Sequence, residues 1–133
     1  MSKITASHVA NKIRSCDYNS TLEQIRNKTD WLKQSCSVII DEDKQVFGVI
    51  SEADILEAEK NHLNLKAIHA WEICSHKIIS IEGEKDINEV IELMLNYNIH
   101  HILVKNKINE KKYDGIISSL DLLRFFYDKE IVH

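Results

Sequence analysis

The sequence predicts a mixed α/β chain built from two copies of one β-α-β-β-α unit, and three observations carry that prediction. The first is a duplicated motif. Residues 46–56 read Val-Phe-Gly-Val-Ile-Ser-Glu-Ala-Asp-Ile-Leu, and residues 113–123 read Tyr-Asp-Gly-Ile-Ile-Ser-Ser-Leu-Asp-Leu-Leu. Aligned on Gly48 and Gly115, an offset of 67, both follow the order Gly, two apolar residues, Ser, two variable residues, Asp, two apolar residues. The second observation is a short apolar run and a polar turn before each motif, the pattern of a β-hairpin. The third is a stretch with apolar residues at helical spacing upstream of each hairpin.

Taken in order, a short leading strand is expected near Ile13–Cys16, although Arg14-Ser15-Cys16-Asp17 is polar for a strand. Leu22, Ile25, Thr29 and Leu32 share one helix face, and Ser20 or Thr21 can cap its start with a side-chain oxygen. Ser37–Ile40, the turn Asp41–Gln45 and the glycine-containing run after it make the first hairpin. A helix opens at the end of its second strand and continues into the charged stretch Glu57–Leu65 before the chain turns. That stretch lacks the Gly, Ser and Pro of a flexible linker.

Ala67–Cys74 reads as a short helix leading into the second copy. There Ile78–Ile81 is the leading strand, and Ile87, Val90, Ile91, Met94 and Leu95 mark a helix favoured at its start by Glu84 or Asp86. His101–Val104, the loop Lys105–Lys112 and the second glycine-containing run complete the hairpin. The repeats divide the chain into 1–65 and 66–133. Units of this size are marginal alone, so the two are expected to pack together as a pseudo-two-fold pair.

Composition bounds the function. With 133 residues, 44% of them hydrophobic, the chain can bury a core, which argues against disorder. A net charge of −4 argues against sequence-independent nucleic-acid binding, which needs clustered Lys and Arg. No apolar run approaches the ~20 residues that span a bilayer. The opening Met-Ser-Lys-Ile-Thr-Ala-Ser-His lacks the apolar core of a secretory signal. Cys16, Cys36 and Cys74 form no Cys-x-x-Cys, which fits free thiols in a cytoplasmic protein better than a disulfide framework or a zinc site.

Ser51-Glu52-Ala53-Asp54 and Ser118-Ser119-Leu120-Asp121 are the residues with chemistry to offer. A Ser-x-x-Asp ahead of an apolar run is a helix-start signature, hydroxyl and carboxylate serving the first-turn N–H groups. The same corner suits a nucleotide. Uncommitted N–H groups at a helix start favour phosphate, and an ionised Asp accepts from the two hydroxyls of a ribose. Both roles fit one residue in different ligation states.

The organisation resembles a tandem CBS-domain pair, the cystathionine-β-synthase-type module, over essentially the whole chain. The matching residues are Ile78-Ile79-Ser80-Ile81, the helix Ile87–Tyr97, Ile99–Val104 and Gly115–Leu123, with Val38–Asp41 and Gly48–Leu56 in the first copy. The resemblance implies a disc-like module whose two related clefts bind adenosyl ligands: AMP, ADP, ATP or S-adenosylmethionine. It implies that Asp121 holds the ribose hydroxyls with Ser118 near ribose or phosphate, and that Asp54 and Ser51 do the same in the other cleft. Ile79 and Ile117 would sandwich the adenine. His100 stands where some nucleotide-sensing members place a base beside phosphate, and its counterpart stretch Ser35-Cys36-Ser37 has none, which makes the Asp121 cleft the better phosphate site. The chain departs from the family in having no proline before its strand valines.

Two functions fit this reading. One is a stand-alone regulatory module that senses an adenosyl ligand in inter-repeat clefts and signals to a partner protein. The other is a ligand-free dimerisation or protein-interaction module, with Phe125, Phe126 and Tyr127 as contact residues. A homodimer is expected, no membrane or nucleic-acid partner, and no resident cofactor or metal. An enzyme is not expected, because the sequence shows no nucleophile with an adjacent base, metal triad or Walker loop, and repeat symmetry puts Asp54 and Asp121 in separate clefts.

Overall fold

The computed structural model describes residues 3–132, with side chains through residue 129. The first half runs α1 (Ala6–Val9), β1 (Ser15–Asp17), α2 (Leu22–Lys28), β2 (Cys36–Ile40), β3 (Val46–Ser51) and α3 (Glu52–Lys60). The second repeats that order with α4 (Ala70–Ile73), β4 (Ser80–Glu82), α5 (Ile87–Tyr97), β5 (His101–Lys105), β6 (Tyr113–Ser118) and α6 (Ser119–Val132). The β-α-β-β-α order holds in both halves, each preceded by a four-residue helix. Only the second of these leading helices was foreseen.

The strands form two three-stranded sheets, β1-β2-β3 and β4-β5-β6. In each, the first pair is parallel and the second antiparallel, with His101 opposite Ser118 just as Cys36 is opposite Ser51. Both hairpins slip register at the same place, between Ile39 and Ile40 and between Val104 and Lys105. Phe47 and Asp114, each just before a motif glycine, are therefore bulge residues that bend the strand. The leading strands begin two residues later than expected, at Ser15 and Ser80, because parallel pairing with the buried central strand fixes them rather than their own apolarity.

The compact units are not cut where the repeats are. One holds Arg14–Ile78, and the other holds Met1–Ile13 together with Ile79–His133. Each leading helix thus packs in the unit that contains the other repeat's hairpin, so the division at 65 and 66 describes the duplicated sequence and not the packing. The glycines show why. An added Cβ at Gly48 would stand 2.7 Å from the Ser75 carbonyl oxygen and 2.8 Å from Cys74 Sγ. At Gly115 it would stand 3.0 Å from the Asn11 oxygen and from Ala10 Cβ. The segment after each leading helix crosses a motif strand there, bridging Val49 to Ser75 and Ile116 to Asn11. Only a residue without a side chain permits so close a crossing.

Each unit has its own core. In Arg14–Ile78 it comprises Leu22, Ile25, Ile39, Ile50, Ile55, Ala58, Leu65, Ala70 and Cys74. In the other, Ala6 and Val9 of α1 join Ile81, Ile87, Val90, Met94, Ile102, Val104, Ile117 and Leu122. Helix starts follow the caps anticipated for them: Thr21 Oγ1 accepts from Gln24 N, and Asp86 Oδ1 from Asn88 N. Two helix-face expectations are corrected. Thr29 leaves α2 with ψ 130°, and Trp31 Nε1 donates to the Arg26 carbonyl at the helix end, so Leu32 lies outside the helix and is 87% exposed. Leu95 is 76% exposed because Ile87, Val90 and Met94 fill the buried face of α5 and Leu95 falls beyond its edge.

Candidate functional site: two Ser-x-x-Asp corners

The site is built where each hairpin ends and a helix begins. At the second corner, the Ser118 backbone N–H donates to Asp121 Oδ2 (2.8 Å) and the Asp121 N–H donates to Ser118 Oγ (3.0 Å). The Ser119 N–H donates to the His100 carbonyl (3.0 Å), which ties the start of α6 to the residue before β5. At the first corner, the Ser51 N–H donates to Asp54 Oδ2 (2.8 Å), the Asp54 N–H to Ser51 Oγ (3.3 Å) and the Glu52 N–H to the Ser35 carbonyl (3.1 Å). The helix-start role of the motif is thus present twice. It satisfies donors that a helix cannot satisfy itself.

The corners differ in one bond. The Ser51 hydroxyl donates its own proton to Asp54 Oδ2 (3.1 Å), whereas among the described bonds the Ser118 hydroxyl is an acceptor. Both Asp54 and Asp121 are half-buried, and each box uses the Oδ2 oxygen of its carboxylate.

The neighbours differ more. His101 lies opposite Ser118 across the sheet and is half-buried. Burial pushes its pKa below the ordinary 6.5, the His100 ring beside it lowers it further, and the Asp121 carboxylate opposes both. His101 is therefore the imidazole in the electrostatic field of Asp121. In the sequence His101 is only the first residue of an expected strand; its register opposite Ser118 in the hairpin is what brings it to the corner. His100 is exposed, and the first corner has Ser35 and Cys36 in the corresponding places.

Ile79 is half-buried, packs on the core of its unit, and its carbonyl accepts from Leu103 N (3.0 Å). Arg14 holds that position in the first repeat, its carbonyl accepting from Val38 N (3.4 Å), so the first corner has no apolar side chain there. Ile117 has 0% exposure inside the core and has no free surface for a ring in this conformation; its half-buried neighbour Ile116 does. Among the described residues no three His, Cys, Asp or Glu side chains are grouped to hold a metal ion. No described helix is long and apolar enough to cross a membrane.

Comparison with known proteins places this geometry. Residues 70–128 match the family model of the CBS domain. The CBS domain pair of protein MJ0100, solved in complex with 5′-methylthioadenosine and S-adenosyl-L-methionine, superposes with a TM-score of 0.80 at 20% identity, over 96% of this chain and 99% of that one. An uncharacterized conserved protein from Pyrococcus horikoshii gives a TM-score of 0.81 at 21% identity, over 93% and 92% of the two chains. Residues 70–128 are thus similar to the CBS domain, and the fold of the chain is that of a tandem CBS-domain pair.

In sequence, an uncharacterized protein of Methanopyrus kandleri is 26% identical over 88 residues, 65% of this chain and 44% of that protein. The matched region spans about half the length of the curated relatives.

Proposed function

We propose that the chain is a regulatory module that binds an adenosyl ligand (AMP, ADP, ATP or S-adenosylmethionine) and passes its state to a partner protein. The observation that carries this reading is the duplicated strand–Ser-x-x-Asp–helix corner on a CBS-pair fold. Asp121 accepts from the ribose diol with the carboxylate oxygen the capping box leaves aside, and the Ser118 hydroxyl donates to ribose or phosphate. Ile79 lies against the adenine, with Ile117 supporting that wall from the core. His100 stands beside the phosphate. Ser51 and Asp54 form the second, weaker site, since Arg14 replaces the apolar wall and no imidazole flanks the corner. The protein acts in the cytoplasm by binding rather than by catalysis, with no membrane or nucleic-acid partner.

A second reading has an observation of its own: both capping boxes are complete within the chain, so the corners are structurally satisfied without a ligand. In that case the chain is an interaction module. Thermal-shift screening of the adenosyl panel, followed by calorimetric titration, separates the two. A ligand that binds only the native state raises its apparent stability by RT ln(1 + [L]/Kd), about 2.7 kcal/mol at a hundredfold excess over Kd. A rise in melting temperature with a titratable heat supports the sensor. No shift and no heat for any member of the panel overturns it in favour of the interaction module.

A further inference from the structure

The two hairpins close on loops of opposite charge. Both loops are shut by the same bond: the Asp41 N–H donates to the Gln45 carbonyl (2.9 Å), and the Asn106 N–H to the Lys112 carbonyl (3.1 Å). Between those ends the first loop holds Glu42-Asp43-Lys44, and the second holds Lys107-Ile108-Asn109-Glu110-Lys111, two residues more. In the first, Asp41, Glu42 and Asp43 stand against Lys44 alone; in the second, Lys107, Lys111 and Lys112 stand against Glu110 alone. The longer loop is held without help from its exposed side chains. Asn106 Oδ1 accepts from the Ile108 and Asn109 N–H groups (2.9 Å each), and Asn106 Nδ2 donates to Asp114 Oδ1 (2.8 Å). Asn109 Oδ1 accepts from the Lys111 N–H (3.0 Å). Ile108 is 95% exposed, and no ion pair among the described residues uses Lys107, Lys111 or Lys112. A single exposed isoleucine is ordinary on a protein surface. One fixed at the tip of a bonded loop among such lysines is a contact already ordered before any partner arrives.

The charges name the kind of partner. Ammonium groups around an aliphatic tip fit a chain segment that carries carboxylates and an apolar side chain. A broad anionic surface fits less well. The groove beside the loop, about 470 Å³, has Glu82, Glu84 and Glu110 on its walls. A bilayer or a nucleic-acid duplex would meet those carboxylates, whereas a narrow segment can follow the lysines alone. We propose that the β5–β6 loop, residues 106–112, is a docking surface for an acidic segment of a partner protein that also bears an aliphatic side chain. That side chain covers Ile108, and the carboxylates pair with Lys107, Lys111 and Lys112 around it. The contact needs no ligand in the Ser-x-x-Asp corners. The first loop, acidic and without an apolar residue, has neither part of this surface.

Fluorescence anisotropy of the full chain with a labelled peptide alternating Glu and Leu tests this, with a Lys–Leu peptide and phosphatidylserine vesicles as comparators. The Glu–Leu peptide is expected to bind, more weakly as salt rises, and the Lys–Leu peptide not to bind. Lys111→Glu combined with Lys112→Glu should weaken binding about tenfold or more, and Ile108→Ser about threefold with the same salt dependence. Lys33→Glu combined with Lys44→Glu, the same charge change at exposed positions elsewhere, should leave binding intact. All these side chains are exposed, so each variant should keep the circular dichroism and melting temperature of the parent. No binding of the Glu–Leu peptide overturns the proposal. So does affinity that survives the Lys111 and Lys112 changes, or that falls equally with the Lys33 and Lys44 changes. Tighter binding to the vesicles, lost in Ile108→Ser, also overturns it and assigns the loop to a membrane surface.

Discussion

The backbone oxygen of Asn11 lies 3.0 Å from the point where a Cβ on Gly115 would stand, so the chain crosses strand β6 with no room for a side chain. Gly48 is tighter, with the Ser75 oxygen at 2.7 Å and Cys74 Sγ at 2.8 Å. Alanine at either position must push backbone aside. Gly48→Ala is expected to destabilise by about 1–3 kcal/mol, the usual range for overpacking, and Gly115→Ala by less. Urea denaturation of the two variants checks the order; equal stabilities would show that the crossing segments give way freely.

The two Ser-x-x-Asp corners should separate binding from capping. Asp121→Ala and Asp54→Ala each remove a helix-start partner, at about 1 kcal/mol of stability. If the adenosyl reading holds, Asp121→Ala weakens nucleotide binding more than Asp54→Ala does, although the stability losses are alike. Calorimetric titration alongside denaturation measures both, and parallel losses of affinity would refute the inequality of the sites.

His101 makes stability depend on pH. Its imidazole is held below the ordinary 6.5 by burial and by His100, with Asp121 pulling the other way. The unfolded chain therefore binds a proton that the folded chain resists. The contribution is fully present above pH 6.5 and is lost as pH falls through the lowered folded value. His101→Gln should flatten that part of the stability–pH curve, which melting temperatures across the acidic range would reveal.

The three thiols should react in order of access. Cys16 is half-exposed, while Cys36 and Cys74 are buried, and burial pushes the Cys74 pKa upward so that less thiolate forms. A thiol reagent at neutral pH should modify Cys16 first, and the other two only when denaturant opens the chain. Rapid modification of Cys74 in the native protein would contradict the packing of its segment against Gly48.

Much of this architecture was legible in the sequence, for reasons visible in particular residues. Ile39, Ile50, Ile102 and Ile117 sit in apolar runs that only a buried strand explains, and the Gly-to-Asp spacing repeats because the same strand-to-helix corner is built twice. Leu32 and Leu95 misled because helical spacing says nothing about where a helix ends or how wide its buried face is. Ala6–Val9 escaped because four residues carry no period, and its place in the other repeat's unit is set by backbone bonds such as Asn11 N–H to the Ile116 carbonyl (2.8 Å). At the site, Ser118 and Asp121 announce themselves by motif. The charge state of His101 does not, because desolvation is a property of the packed sheet.

The exchanged leading helices bear on descent. The unit that was duplicated, some 65 residues from one leading helix to the next, is not the unit that folds. A gene carrying a single copy would encode a chain whose first helix has no seat of its own and whose motif glycine lies uncovered. Such an ancestor completes itself only by trading that helix with a sister molecule. With both copies in one chain, the covalent link itself supplies each leading helix to the unit that seats it.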